Sequence, residues 1–292
     1  MKRTILTGIL ALAASVAVLM AQQGQPAPAG QAAPAVQPGQ AAQPAPAAPA
    51  GPQAKSPEEL AARNALIAAM NKNDGDAVIK AAEDLLAKFA DTQFKEMALT
   101  LEATAYSMKS DTVNEQLAWG RVLEVNPKSI DANLKLGGLI AKQTRDKDLD
   151  RDDQLAKAEK YLNAAIDNLK VAQKPNPQLP DQVWEQVKKQ NDAEAHEGLG
   201  MVALTRAVAN KDADPKKYDK AIGEMQIAAT EDPEQTAYEA RLASVLQSAG
   251  RNSESIALCD KILAVPDLNP AIKTFATNLR AAAEKAAAPP AK

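Results

Sequence analysis

The residues of this chain with the clearest capacity for chemistry form an acidic run near its middle. From Asp148, carboxylates recur at every second residue, at Asp150 and Asp152, and Glu159 follows eleven residues after Asp148. Ca²⁺ binds oxygen ligands that a short loop presents at alternate positions, closed by a glutamate. The spacing therefore makes Asp148, Asp150, Asp152 and Glu159 a candidate metal site.

This spacing resembles the calcium loop of an EF-hand, with one departure that matters. Asp153 occupies the position at which such a loop needs glycine for its sharp turn. The stretch from Ala156 to Glu159 also continues a helical pattern. We therefore expect no bound metal, and we expect Asp152 and Asp153 to cap the helix that follows. A calcium-dependent interaction module is the alternative.

The single histidine excludes most catalytic arrangements. His196-Glu197 begins like the helix of a zinc protease, but Gly200 stands where the second histidine must be. One histidine leaves almost no room for a His-rich zinc site or a Ser/His/Asp triad. Cys259 lies on the apolar face of a predicted helix, which favours an inert buried thiol. We expect no enzyme, no catalytic residue and no cofactor.

The composition favours an all-helical protein. Of the 292 residues 46 % are apolar, with alanine the most frequent, whereas aromatic residues reach only 3 %. Alanine is the best helix former, and strands prefer β-branched and aromatic residues. The net charge of −3 gives no attraction to nucleic acid, and the one cysteine excludes an internal disulfide.

A repeated pattern fills the chain from Ser56 onward. A small residue is followed by a bulky one four positions later and by a small or apolar pair at positions seven and eight. The leading residues are Ala81, Glu115, Ala158, Ala221 and Ser255, at intervals of 34, 43, 63 and 34. Asn-Pro or Asp-Pro closes several copies, because the residue before proline disfavours the helical conformation. Each copy predicts the second helix of a pair.

The 34-residue period of two helices resembles the tetratricopeptide repeat. Matching first helices contain Leu136-Gly137, Leu199-Gly200 and Leu242-Ala243. The resemblance implies a right-handed α-solenoid of about five helix pairs over residues 56–287. We expect a C-terminal capping helix from Ala271 to Ala287, apolar on one side only, and a tail at 288–292.

Two of the predicted pairs are longer than the standard. Ala243 and Ser255 are 12 residues apart, whereas Gly137 to Ala158 and Gly200 to Ala221 each span 21. The nine extra residues form either longer loops or longer first helices, and they should lie side by side on one edge of the solenoid. After a proline-rich stretch, Asp181 should cap a further helix through Trp184. The residues expected at this insertion rim are Arg145, Asp148, Asp150, Trp184 and Lys211.

The resemblance implies that partners bind the concave face formed by the first helices. The residues expected there are Thr100, Thr104, Met108, Leu134, Glu194, Glu197, Met201, Leu204, Ser244 and Gln247. Because this set includes acidic side chains, we expect a partner protein or peptide of modest or positive charge. Its identity is open, and the chain could equally be one subunit of a larger envelope complex.

The N-terminus predicts export. Lys2 and Arg3 precede an apolar run, and Ala21 offers a small residue for cleavage, so residues 1–21 read as a signal peptide; cleavage after Ala17 is the rival. Residues 22–55 are rich in alanine, proline and glutamine and predict a disordered linker. We expect a periplasmic scaffold or assembly factor of a bacterial envelope, with no membrane span after cleavage. An uncleaved N-terminal anchor is the alternative.

Overall fold

The computed structural model describes residues 51–210 and 214–288, and within these ranges the chain forms helices and turns without strands. The predicted signal peptide, the linker up to residue 50, Lys211 and residues 289–292 lie outside the described residues. The helices are α1 Pro57–Asn71, α2 Gly75–Lys88, α3 Lys95–Met108, α4 Thr112–Val125, α5 Ile130–Gln143, α6 Arg151–Val171, α7 Asp181–Ala209, α8 Asp219–Glu231, α9 Thr236–Ser248, α10 Asn252–Leu263 and α11 Pro270–Ala287. A short 3-10 helix, Pro215–Tyr218, precedes α8.

These helices form five consecutive hairpins, α1–α2 to α9–α10, numbered here 1 to 5. Each second helix packs against the first helix of its own hairpin and against the first helix of the next one. First helices of neighbouring hairpins also meet, as α5 does with α7. The last helix, α11, covers both helices of hairpin 5. The predicted all-α solenoid of five tetratricopeptide-like pairs and a capping helix is confirmed, while its handedness stays a prediction.

Side-chain caps start many of these helices. A free backbone N–H in the first turn of a helix is satisfied by a short polar side chain just before it. The side chains of Ser56, Asp74, Asp111, Ser129 and Asn269 accept such bonds at the starts of α1, α2, α4, α5 and α11. The helices α4 and α8 end immediately before Asn126-Pro127 and Asp232-Pro233, as the sequence predicts.

Three hairpins share one turn. In hairpins 1, 2 and 5 only three residues separate the helices, and the middle one, Asn73, Ser110 or Gly250, has a φ of 57°, 57° or 75°. Because this residue is in the left-handed conformation, the backbone N–H of the residue after it can donate to a carbonyl of the preceding helix. In hairpin 5, Arg251 N donates to Leu246 O at 2.9 Å. Glycine adopts that conformation without the steric cost that a side chain adds.

Hairpins 3 and 4 carry the predicted extra residues in two different ways. In hairpin 3, the connection 144–150 is longer and α6 has 21 residues against 12 in α10. In hairpin 4, α7 has 29 residues and the connection runs from 210 to 218. The longer loop is therefore found in hairpin 3, whose first helix α5 has an ordinary 14 residues, so a longer first helix is wrong there. Hairpin 4 does have the longer first helix.

The separate helix expected around Trp184 is the N-terminal part of α7. Asp181 does not cap it, because its carboxylate binds Lys174 Nζ at 2.5 Å.

Glycines let bulky side chains fill the space between hairpins. A Cβ atom at Gly137 of α5 or at Gly198 of α7 would lie 2.8 Å from a carbon of Leu162 in α6. Leu162 is thus held between the first helices of two successive hairpins. Met225 of α8 packs in the same way against Gly200 of α7, where an added Cβ would lie 2.8 Å from its terminal methyl. The bulky residues of the second helices therefore pack against the small residues of the first helices.

Candidate functional site

A groove with polar walls crosses the first helices of hairpins 3, 4 and 5. Its volume is about 260 Å³. We call it the polar groove; it is lined by Lys135, Lys142, Gln190, Asn191, Glu194, Glu197, Asp232, Gln235, Ala237 and Tyr238. These residues come from α5, α7, α9 and the link before α9. The repeat array, rather than any single hairpin, therefore builds the groove.

An ion pair joins α5 to α7 in the wall of the polar groove. Lys135 Nζ donates to both carboxylate oxygens of Glu194, at 2.7 and 2.9 Å. Burial favours the uncharged carboxyl, but the neighbouring ammonium of Lys135 holds the pKa of Glu194 below its ordinary value. The same pairing raises the pKa of Lys135 against the effect of its burial. Both groups are therefore charged at neutral pH.

Glu197 extends this network to α9. It is only 5 % exposed, and its carboxylate pairs with Lys142 Nζ of α5 at 3.6 Å and with the guanidinium of Arg241. Removing one partner of such a buried pair leaves an uncompensated charge, which is strongly destabilising. Glu194 and Glu197 were expected to present negative charge to a partner, and here both are neutralised by cations of the chain itself.

Tyr238 forms the apolar end of the polar groove. Its ring packs against Ala193 of α7 and Ala228 of α8. Burial first, and then the nearby carboxylates of Glu194 and Glu197, raise the pKa of its hydroxyl. The hydroxyl therefore stays protonated and can donate a hydrogen bond.

A second groove adjoins the first. It has a volume of about 280 Å³, and we call it the Trp184 groove; it is lined by Glu96, Asn126, Lys128, Ser129, Ile130, Asp131, Ala172, Gln173, Pro175, Leu179, Trp184, Val187 and Asn191. Asn191 borders both grooves. The two depressions therefore meet along one side of α7.

The other residues expected on the concave face differ in their exposure. Leu134 is 1 % exposed within the main apolar core, so its expected contact with a partner is wrong. Thr104 is also buried, and its hydroxyl donates to Thr100 O at 2.8 Å. The residues that remain partly exposed are Thr100, Met108, Met201, Leu204, Ser244 and Gln247.

The acidic run does not converge on a metal site. Asp148 accepts the backbone N–H of Arg145 at 2.7 Å, and Asp150 accepts Gln154 Nε2 at 2.9 Å. Asp152 pairs with the adjacent Arg151. Within residues 51–210 and 214–288, no three His, Cys, Asp or Glu side chains are grouped to hold a metal. The expected cap is also wrong, because no side chain caps α6.

Glu159, the fourth candidate ligand, joins the two long hairpins instead. One carboxylate oxygen accepts Arg206 NH1 at 2.6 Å, and the other accepts Lys220 Nζ at 2.7 Å. Arg206 lies near the end of α7, and Lys220 lies at the start of α8. The first half of α6, the end of α7 and the start of α8, which flank the long connections of hairpins 3 and 4, therefore lie on the same edge. Trp184, which was expected at that rim, lies instead in the first turn of α7, at the opposite end of the helix from Arg206, so its expected place is wrong.

The two residues most often used in catalysis have structural partners. His196 Nδ1 lies 2.6 Å from Glu224 Oε2, which ties α7 to α8. Cys259 is buried against Ala243 and Leu279, and burial raises the pKa of its thiol. Neither provides an activated group at a groove. In the part of the chain that the structure describes, moreover, every helix is too short or too polar to cross a membrane.

Lys135, Lys142 and Arg241 are the site residues that the sequence did not reveal. Lys135 and Glu194 are 59 positions apart, and no local pattern links them. The available clue is register: Leu136-Gly137 and Leu199-Gly200 align the two first helices and place Lys135 and Glu194 on neighbouring turns. Lysine is otherwise a common solvent-facing residue.

The chain matches several solved structures at low sequence identity. No family model matches the chain, and no curated protein does. A solved double mutant of MamA is 15 % identical, covers 78 % of this chain and 98 % of its own, and superposes with a TM-score of 0.48. A thermophilic TPR protein of Thermus thermophilus is 16 % identical, covers 76 % of this chain and 98 % of its own, and has a TM-score of 0.49. The assembly chaperone of RpL4, Acl4, is 12 % identical, covers 78 % of this chain and 97 % of its own, and has a TM-score of 0.47.

Proposed function

We propose that the chain is a non-enzymatic scaffold that binds a peptide or protein segment on the face formed by its first helices. One observation carries this proposal. The polar groove and the Trp184 groove meet on that face, and residues of hairpins 2 to 5 line them together. An elongated cleft with polar walls and a half-buried aromatic ring suits an extended segment better than a compact small molecule.

The ion pairs of the polar groove support this role. Lys135–Glu194 and Glu197–Arg241 fix three first helices relative to one another before any partner arrives. A rigid surface loses less conformational entropy on binding. Groove residues such as Gln190, Asn191 and Gln235 can pair with the backbone of an extended segment, since their amides both donate and accept.

Chemistry at the polar groove has no support from the side chains that line it. General acid–base catalysis needs a group that changes protonation near the working pH and can reach a substrate. Lys135, Glu194 and Glu197 are committed to ion pairs, and Tyr238 keeps its proton. A binding role accounts for these features without a reaction.

Export to the periplasm of a bacterium is part of the proposal. Its support is the positively charged start and apolar run that precede Ala21. Mass spectrometry of the N-terminus in fractionated cells tests it: a mature chain beginning at Gln22 in the periplasmic fraction is expected. An intact Met1 in the membrane fraction would instead establish the N-terminal anchor.

Site-specific photocrosslinking tests the binding face. A benzoylphenylalanine is placed at Gln190 or Gln235 on the polar groove, and matched controls carry it at Asn163 or Gln226, exposed on second helices. We expect one discrete adduct from the groove positions in cells and none from the controls. Equal crosslinking from both sets would contradict binding on this face.

A further inference from the structure

The long helix α7 carries one side-chain stripe along both grooves. Trp184, Val187, Asn191 and Glu194 follow one another at three- or four-residue spacing, so they share a face of the helix. The N-terminal part of this stripe exists only because α7, at 29 residues, starts earlier than the other first helices. The extra N-terminal turns of α7 thus place the Trp184 ring in the groove, at a position that a first helix of ordinary length would not reach.

The Trp184 end of this stripe is apolar and held in place. Pro175 and Leu179 line the groove beside the ring, in the segment that links hairpins 3 and 4. Lys174 Nζ fastens that segment by donating to Leu179 O at 3.3 Å and to Asp181 at 2.5 Å. Val171, next to the groove at the end of α6, is 78 % exposed. An apolar side chain of a partner could bury this surface.

The opposite wall of the Trp184 groove carries two acidic residues, Glu96 and Asp131, and one basic residue, Lys128. Glu96 accepts a hydrogen bond from Asn126 Nδ2 at 2.7 Å, whereas the carboxylate of Asp131 makes no hydrogen bond with any described residue. The charged groups that face Asp131 are Glu96 on α3, Lys135 on α5 and Glu194 on α7. Lys135 already donates to both oxygens of Glu194. Burial raises the pKa of Asp131, and Glu194 and Glu96 add to that effect while Lys135 opposes it, so a cation supplied by a partner would favour the charged carboxylate.

We propose that the Trp184 groove recognises a partner segment that carries an apolar side chain and, close to it in the chain, a lysine or arginine. The apolar side chain packs on Trp184 and Leu179, and the cation pairs with Asp131, which lines the same groove of about 280 Å³. This inference rests on the proposed function and specifies the chemistry of its partner.

The chain itself does not supply this occupant from its linker. Residues 22–54 contain no lysine or arginine, although they offer many small apolar side chains. A linker docked in the Trp184 groove would leave Asp131 without a cation. The charge of the groove therefore points to a separate partner.

Selection from random 12-residue peptides displayed on phage tests the proposal, with the folded chain as bait. We expect an enriched pattern that combines a large apolar residue with a nearby lysine or arginine. A synthetic peptide of that pattern, followed by fluorescence anisotropy, should lose at least tenfold in affinity with Trp184→Ala. Asp131→Asn, which keeps the side-chain shape, should cost about tenfold and flatten the dependence of binding on salt.

Two controls separate recognition from folding. Trp184→Phe should retain most of the affinity, and Leu149→Ser, in the exposed connection of hairpin 3, should change nothing. Thermal unfolding of each variant verifies that the array is intact. Full-strength binding to both Trp184→Ala and Asp131→Asn would overturn the proposal.

Other results distinguish this inference from the function on which it rests. Enriched peptides that lack the basic residue, or whose binding responds to a change at Gln235 but not at Trp184, would overturn the inference and leave the proposed function standing. A selection that enriches no peptide, together with no photocrosslink from Gln190 or Gln235, would overturn both.

Discussion

The contact between hairpins 3 and 4 and the contact within hairpin 4 solve the same packing problem differently. Leu162 is enclosed by two glycines, Gly137 and Gly198, from two first helices. Met225 meets one glycine, Gly200, with its flexible end. A branched side chain between two backbones has few ways to move aside, whereas the unbranched thioether has several. The first contact is therefore rigid and the second adaptable.

Hairpin 5 extends this comparison to a third form. Ala243 stands at the repeat position that Gly137 and Gly200 occupy in hairpins 3 and 4, and it packs against Cys259, which is smaller than Leu162 or Met225. The methyl group added on the first helix is compensated by a shorter side chain on the second, because the space between two packed helices has a fixed volume. The combined volume of the two side chains therefore stays similar from hairpin to hairpin, although the residues themselves change.

The largest effect should come from Leu162→Ala. Truncation empties the space between two hairpins, and a buried Leu→Ala change costs about 3–5 kcal/mol where the walls cannot close. Cys259→Ala, at the equivalent place in hairpin 5, should cost only about 1 kcal/mol, since it removes one atom. Urea unfolding followed by circular dichroism measures both. Similar losses in the two variants would contradict the contrast.

Adjacent glycines of α5 provide the next test. Gly137→Ala forces its Cβ to within 2.8 Å of Leu162 Cγ and 3.1 Å of Ala158 O, a backbone atom that cannot move easily. We expect a loss of about 1–3 kcal/mol. Gly138→Ala is the matched control, because no atom lies within 4 Å of its Cβ. It should stabilise the helix by roughly 0.5–1 kcal/mol. Urea unfolding gives both values, and a shared sign would refute the close approach.

Much of this fold could be predicted from the sequence because repetition supplies its own reference. The short turn of hairpin 5, closed by Gly250, recurs in hairpins 1 and 2, so departures in hairpins 3 and 4 stand out against it. Small and bulky residues at fixed spacing reveal which helix faces meet. The predicted pairs and the capping helix follow from that local information.

The candidate site was less predictable, because it depends on long-range pairs between charged residues. Glu194 and Glu197 look like solvent-facing acids in their own helix, and only Lys135 and Arg241, on other helices, neutralise them. Leu134 fits the expected concave register but lies in the core. A side chain's neighbours on other helices decide its burial and charge, and the repeat pattern does not specify them.

The adaptable contact should tolerate Gly200→Ala better than the rigid one tolerates Gly137→Ala. The atoms that the new Cβ would approach are all in the Met225 side chain, at 2.8 to 3.2 Å. A change of rotamer can relieve this overlap, so we expect a loss below about 1 kcal/mol. Adding Met225→Leu should make the same glycine change costly, and a double-mutant cycle measures that coupling. Additive effects in the cycle would show that the flexibility of methionine is not the cause.

The smallest expected effect is a difference between hairpins 3 and 4 in how their contribution to stability depends on pH. In hairpin 3 the residue equivalent to His196 by register is Asn133 of α5. Its Nδ2 donates to the backbone oxygens of Pro127 and Ser129, at 3.0 and 2.8 Å, and it does not titrate. For His196, the hydrogen bond to Glu224 raises the pKa above 6.5, against burial and with help from Asp192 and Glu231. The protonated form therefore stabilises the fold. This stabilisation is complete below about pH 6.5, the pKa of His196 in the unfolded chain. It is lost as the pH rises through the higher pKa of His196 in the folded chain.

Glu224→Gln removes the main partner of His196. We expect the variant to lose stability mainly at and below pH 6.5, and to approach the parent as pH rises above the folded pKa. Urea unfolding between pH 5.5 and 8.5 measures the difference, and Asn133→Gln serves as the comparison because its cost should not vary with pH. A constant difference between Glu224→Gln and the parent over this range would show that His196 is uncharged in the fold.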